Sequence, residues 1–367
     1  MSRPVLASCT SAQLLGITGP KYRSVRDDQG LKHILLSNSL AAVPCHEHVP
    51  FISSDDLEMY KRLDQTNLNA MTCLNELIGH ECGRLIQKDS AGNINFDMGN
   101  IPLSPFTGLA IKSGYAAGEI PKSVFGGMYN ALNECLAESI ALVLMKEEEV
   151  LEALGVIQAG VTAKEGTAPT DEDYLQGRFL LIHGTVLYNA YLQIIWLALN
   201  GLASCDPEKK VCNSNASVIC RAASQKSVLQ TWAEAHDRAR FGILKTLLLA
   251  VPSPLKIRNH PDGEANLTTK LSNDLVYMAG HRAVSDLATH LHVYKCTADF
   301  ECGRDYFESI TTVDGLALTW RDAAMVRKKP RPLFVMGNTF LETGEVRYQT
   351  YPATREGLIQ SWADRGV

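Results

Sequence analysis

Asn75, Glu76 and His80 stand on one short apolar stretch, Leu74-Asn75-Glu76-Leu77-Ile78-Gly79-His80, and Glu134 and Glu138 stand on another. Imidazole nitrogen, amide oxygen and carboxylate are donors from which divalent-cation sites are built, and a nearby carboxylate can take a proton from the bound water. The first stretch reads as an altered metallohydrolase helix, with Asn75 and His80 as expected metal ligands and Glu76 as the catalytic base. Glu134 and Glu138 are four apart and share one helical face. Asn75 and His80 are five apart, and a regular helix would turn one away from the other. That spacing predicts an extra-residue bulge in the helix, with Gly79 as its natural place.

Both stretches resemble motifs of one family. Asn75 to Leu85 is similar to the His-Glu-Leu-Leu-Gly-His-Gly-Ser-Gly-Lys-Leu segment of dipeptidyl peptidase III, a family of zinc exopeptidases. Asn133-Glu134-Cys135-Leu136-Ala137-Glu138 is similar to its Glu-Glu-Cys-Arg-Ala-Glu. Further on, Trp232 to Phe241 resembles its Trp-Arg-Gln-Ala-His-Met-Gln-Ala-Arg-Phe, and Arg321-Asp322 to Arg327-Lys328 its Arg-Asp…Arg-Lys. The resemblance implies a mainly α fold with a few strands, the single helical catalytic lobe of that family, over 21–367 after an extended arm at 1–20. It implies that His236 and Arg240 face a cleft and contact substrate, and that Arg327 and Lys328 line it. It also implies that the family's other lobe, which helps to hold the amino end of the peptide, is missing here.

The departures from those motifs cluster. Asn75 stands where the family has its first His, Glu81 where it has Gly, Asn133 where it has Glu, and Leu136 where it has Arg. With Asn75, Glu76, Glu134 and Glu138 the donor set becomes mainly oxygen, which favours Mg²⁺ over Zn²⁺. His236, Arg240, Lys245, Arg327 and Lys328 then suit a substrate with several negative oxygens, such as a diphosphate. The first expectation is accordingly a Mg²⁺-dependent lyase of secondary metabolism that ionises an isoprenoid diphosphate. It would be a sesquiterpene cyclase of the humulene synthase kind, as in fungal cyclases without the usual Asp-rich motif; no DDxxD-like run occurs in this chain. The alternatives are a Zn²⁺ exopeptidase of the dipeptidyl peptidase III type, and a catalytically dead lobe serving as a binding or scaffold protein.

Composition narrows the partners. Of 367 residues, 46% are hydrophobic and 20% charged, with a net charge of -5, which describes an ordinary globular protein without a nucleic-acid surface. The ten Cys include no CxxC pair and read as reduced, mostly buried thiols. Met1 to Val5 opens no signal peptide, so a cytoplasmic enzyme is expected. An uncovered cleft face predicts a homodimer. His46 and His48, between Pro44 and Pro50, read as a loop bordering the pocket.

These residues need elements to position them. Ser53 to Asp56 should cap a helix running through the motif, and Pro121 should open one continuing to Leu154. Asp89 to Asn93 reads as a turn, and the following segment to Glu119 as a long loop. A strand is expected at Lys32 to Leu36. Phe179 to Leu199 is apolar enough for a membrane span, yet His183, Asn189 and Gln193 make it a buried core helix. A polar loop at Ser204 to Ser217, then helices at Gln225 to Val251, Asn273 to Tyr294 and Gly303 to Arg327, complete the lobe. A hairpin about Glu342 to Gly344, pairing Leu333 to Met336 with Glu345 to Tyr348, and a helix from Arg355 to Arg365 end the chain.

Overall fold

In a computed structural model, the structure describes residues 16–19, 32–35, 49, 51–80, 82–100, 102–157, 183–212, 228–251, 271–272, 276–327, 335 and 337–365. His46, His48, Glu81 and Lys328 lie outside the described residues, as do Leu333, Phe334 and Met336. The fold is mainly helical with a few short strands, in three two-stranded antiparallel pairs. Of the described residues, those up to Arg327 belong to the larger of two compact units and 337–365 to the smaller.

Within the larger unit, strands β1 (Gly16–Gly19) and β2 (Lys32–Leu35) pair with Ile17 opposite Ile34. Helix α1 (Ser54–Leu74) starts where Ser53 lies extended and its hydroxyl donates to Asp56 Oδ2 at 2.9 Å. Asp55 and Asp56 in the first turn complement the helix dipole. At Asn75 the helix widens into a π turn, Asn75–Gly79, closed by the His80 amide donating to Asn75 O at 2.9 Å. That five-residue bond restores Asn75 and His80 to one face, as their spacing requires.

The helix expected from Pro121 to Leu154 is three helices. Pro121 opens α2 (Pro121–Phe125), but Gly126, at φ 56°, takes the chain out of helical geometry. The long α3 (Tyr129–Leu144) follows, and Glu147 in an extended conformation separates it from α4 (Glu148–Ala153). Glu148 and Glu149 occupy the first turn of α4, where the helix dipole favours carboxylates.

Helix α5 (His183–Gly201) contains a span, Gly184–Ser204, long and apolar enough by composition to cross a membrane, but most of it is buried inside the protein. Its polar residues have assigned places. Gln193 donates to Asp64 Oδ1 at 2.8 Å, and Tyr60 donates to the same oxygen at 2.8 Å, tying α5 to α1. The expected polar loop after α5 is a strand, β3 (Cys205–Cys212), paired with β4 (Val228–Trp232). Pro207 falls in a register shift between Asp206 and Lys210, where no ladder donor is needed. The helix expected from Gln225 therefore starts later, as α6 (Ala235–Ala250), because Gln230 joins β4 to Val313 through two hydrogen bonds of 2.9 and 2.8 Å.

Helices α7 (Ala279–Thr297), α8 (Phe300–Thr311) and α9 (Leu316–Arg327) complete this unit. Asp299 caps α8 by accepting from the Cys302 amide at 3.2 Å. Helix α3 packs chiefly against α6 and α7, and α5 against α6 and α1. Leu132, Leu136, Leu187, Leu244, Leu291 and Phe307 are fully buried in the resulting core. Burial of such side chains contributes about 1.5–3 kcal/mol each. Cys73, Cys82, Cys135, Cys205, Cys296 and Cys302 carry free thiols.

In the smaller unit, β5 (Asn338–Glu342) and β6 (Glu345–Gln349) pair around Thr343 and Gly344, both at positive φ. The first strand lies later than expected, and helix α10 (Arg355–Ala363) follows.

One contact fixes the π turn against α3. A Cβ placed on Gly79 would stand 2.6 Å from both Cα and O of Ala137. Gly79→Ala should therefore force the two helices apart and lower stability by about 1–3 kcal/mol or more, measured by urea unfolding; a change near zero would show that the turn gives way freely.

Candidate metal centre

The π turn presents His80 to α3, and α3 presents Glu134 and Glu138 one helical turn apart. His80 Nε2 lies 3.3 Å from Glu134 Oε2, and His236 Nδ1 lies 3.4 Å from the same oxygen. This oxygen is buried without a well-formed hydrogen bond. His236 Nδ1 is hydrogen-bonded to Glu138 Oε1 at 3.1 Å, and Arg240 reaches that oxygen through Nε at 2.9 Å and Nη2 at 2.7 Å. Three elements thus converge on two carboxylates: the π turn, α3 and the first turns of α6.

The electrostatics follow from that arrangement. Burial alone would push the Glu134 carboxyl up, but the neighbouring His80 and His236 rings and the Arg240 charge outweigh it and hold it below the usual carboxylate range. Burial likewise disfavours the charged His236 ring, yet the hydrogen bond to Glu138 and the two carboxylates raise its pKa. Asn75 is 8% exposed at the head of the π turn, with Glu76 beside it half-buried.

His80 is held at three points. Its amide closes the π turn, its Nδ1 lies 2.8 Å from Asn133 Nδ2, and its carbonyl accepts from Lys295 Nζ at 3.3 Å. Cys82 adds a bond from its thiol to Gly79 O at 3.2 Å and lies 3.5 Å from His292 Nδ1. Lys295 and His292 come from α7, more than two hundred residues away in sequence, so no local pattern announces them. Asn133 had a signal, since it immediately precedes Glu134.

Among the described residues, His236 and Arg240 are the expected diphosphate cations found at the carboxylates. Lys245 donates to Thr312 O at 2.8 Å and pairs with Asp314 at 3.2 Å. Arg327 lies over the Phe51 ring, 5.3 Å from its centre. Lys328 lies outside the described residues.

Two donor atoms of a tetrahedral zinc site, each at 2.0–2.2 Å from the ion, stand about 3.3–3.6 Å apart. The His80 Nε2 to Glu134 Oε2 separation is 3.3 Å. The pair is therefore spaced for one zinc-sized ion, and Asn75 shares the His80 face of the π turn. The donor set is weaker than one containing two imidazoles, and among the described residues no group of three His, Cys, Asp or Glu side chains is arranged to hold an ion.

The family model for peptidase family M49 matches residues 2–366. The chain belongs to peptidase family M49. The M49 relatives it is similar to include dipeptidyl peptidase 3 of Nematostella vectensis, 28% identical over 99% of this chain and 44% of that protein. The protein of the same name from Homo sapiens is 30% identical over 99% of this chain and 45% of its own length. The chain thus spans less than half the length of the curated relatives it matches. A solved structure of DPP III from Caldithrix abyssi aligns with 85% of this chain and 42% of that one, at a TM-score of 0.48 and 13% identity.

The ion pairs of this M49 chain differ in what their loss should cost. Arg240→Met leaves Glu138, 6% exposed, without its main counter-charge, and should destabilise by about 3–5 kcal/mol. Lys245→Met loses a pair to Asp314, whose side chain is 66% exposed, and should cost about 1 kcal/mol or less. Urea unfolding of both variants checks the order, and equal losses would contradict it.

Proposed function

We propose that this chain is a metal-dependent hydrolase of the dipeptidyl peptidase III type, acting on the amino ends of peptides through a weakened zinc site. The observation that carries this reading is the 3.3 Å approach of His80 Nε2 to Glu134 Oε2 across the π turn. His80 and Glu134 would hold the ion, with Asn75 as the third and poorest donor. When bound, zinc would lower the pKa of a water and polarise a carbonyl. Glu76, next to Asn75 in sequence, would take a proton from that water and hand it to the leaving amine. His236 keeps Nδ1 on Glu138, which leaves its other ring nitrogen for a substrate oxygen. Arg240 holds Glu138 in turn and so orients His236.

A second reading is the Mg²⁺-dependent lyase acting on an isoprenoid diphosphate. What favours it is Asn75 itself: a buried amide in a set with Glu134 and Glu138 would make the donors harder than zinc prefers. The engagement of Lys245 with Asp314 and of Arg327 with Phe51 weighs against it, because fewer cations remain for the departing diphosphate. A protein without turnover, acting as a scaffold, would show neither chemistry.

The readings part on one variant. Asn75→His restores a second imidazole, so zinc affinity should rise by at least about tenfold, since even changes in outer-shell partners move affinity 10–100-fold. A chromogenic dipeptide substrate should be cleaved slowly by wild type with zinc and faster by the variant. If wild type instead releases hydrocarbon from farnesyl diphosphate with Mg²⁺, and the variant loses that activity, the lyase reading replaces the hydrolase one.

A further inference from the structure

His80 offers two ring nitrogens, and the structure gives each a different neighbour. Nε2 faces Glu134 Oε2 at 3.3 Å, and Nδ1 is 2.8 Å from Asn133 Nδ2. Asn133 Oδ1 is buried and has no hydrogen-bond partner. A neutral imidazole has one N–H and one lone pair, so the partner of one nitrogen dictates the state of the other. With the Asn133 amide donating to Nδ1, the ring proton must sit on Nε2, where it points at Glu134. In that state His80 is a donor to a carboxylate. It is not a metal ligand.

Ligation through Nε2 requires the other tautomer, with the proton on Nδ1 and an acceptor waiting for it. Asn133 carries such an acceptor in its orphaned Oδ1. Half a turn about the terminal bond of its side chain exchanges Nδ2 for Oδ1 without moving α3. Of the common side chains of this size, a carboxylate could serve only the ligating tautomer and an aliphatic chain neither, whereas an amide serves both.

We propose that Asn133 is a positioning residue that sets the tautomer of His80. It closes the metal-free site on itself through Nε2–H and Glu134, and it turns over when a cation takes Nε2. The proposal rests on the metal-site reading for its purpose, but its tautomer claim stands in metal-free protein. The consequence for affinity is direct. Only the fraction of molecules with a free Nε2 lone pair is competent to bind, so the apparent affinity of wild type falls by that fraction.

Long-range ¹H–¹⁵N spectra of the His side chains, assigned to His80 by its loss in a His80→Gln protein, test this. Metal-free wild type should show Nδ1 unprotonated, and zinc should move the proton onto Nδ1. Asn133→Asp, close in shape but acceptor only, should show a protonated Nδ1 even without metal. It should also bind zinc about 10–100-fold more tightly by competition titration, the range for changes in such outer-shell partners. Should the Asp protein not fold, Asn133→Leu reads the same claim: His80 should lose its single tautomer and give an averaged signal. A protonated Nδ1 in metal-free wild type, or an unprotonated Nδ1 retained in either variant, overturns the proposal. If wild type takes up no zinc while Nδ1 still responds to Asn133→Asp, the positioning claim survives and the hydrolase reading fails.

Discussion

The bond from the His80 amide to Asn75 O is the constraint on which the site depends. It forces five residues into one turn, and the wider turn sets Asn75 and His80 on a common face. Helix α3 can approach that turn only because residue 79 has no side chain; its position against Ala137 leaves no room for one. The close approach is what brings Glu134 within 3.3 Å of His80. Lys295 and Cys82 then hold the far end of the turn, at His80 O and Gly79 O. A shift of the turn along α3 would therefore break several contacts together, which makes the register of these two elements well defined.

Charge balance is the second requirement. Two carboxylates four residues apart on a buried helix face would repel each other and resist ionisation. His236 and Arg240, also four apart, meet them from α6, so the two helices carry complementary pairs at the same spacing. Arg240 is directed at Glu138, and this leaves Glu134 the carboxylate between two imidazoles. The two acids thus have separate duties: Glu138 anchors α6, and Glu134 faces the point where an ion would sit.

Much of this was legible in the residues themselves. The five-residue spacing with Gly79 foretells the π turn, and the four-residue spacing of Glu134 and Glu138 foretells their shared face. The mainly helical fold is what the resemblance of the motifs implies. What could not be read is non-local or competes with propensity. Gly126 and Glu147 split a stretch whose apolar pattern runs on without a break. The β3–β4 pair forms from polar, Pro-containing sequence because its partner strand and Val313 supply the hydrogen bonds. Lys245 looked like a cleft residue by its place on the helix, but Asp314, sixty-nine residues away, claims it. Lys295 and His292 enter the site through packing of α7, which no motif encodes.

The proposed metal site would hold a divalent ion between His80 and Glu134, against the π turn and α3. Anomalous diffraction from crystals grown with zinc is the decisive experiment. A single peak is expected about 2.0–2.2 Å from both His80 Nε2 and Glu134 Oε2, with the Asn75 side chain turned toward it. No peak at that point, or a zinc ion elsewhere while His80 still donates to Glu134, would contradict it.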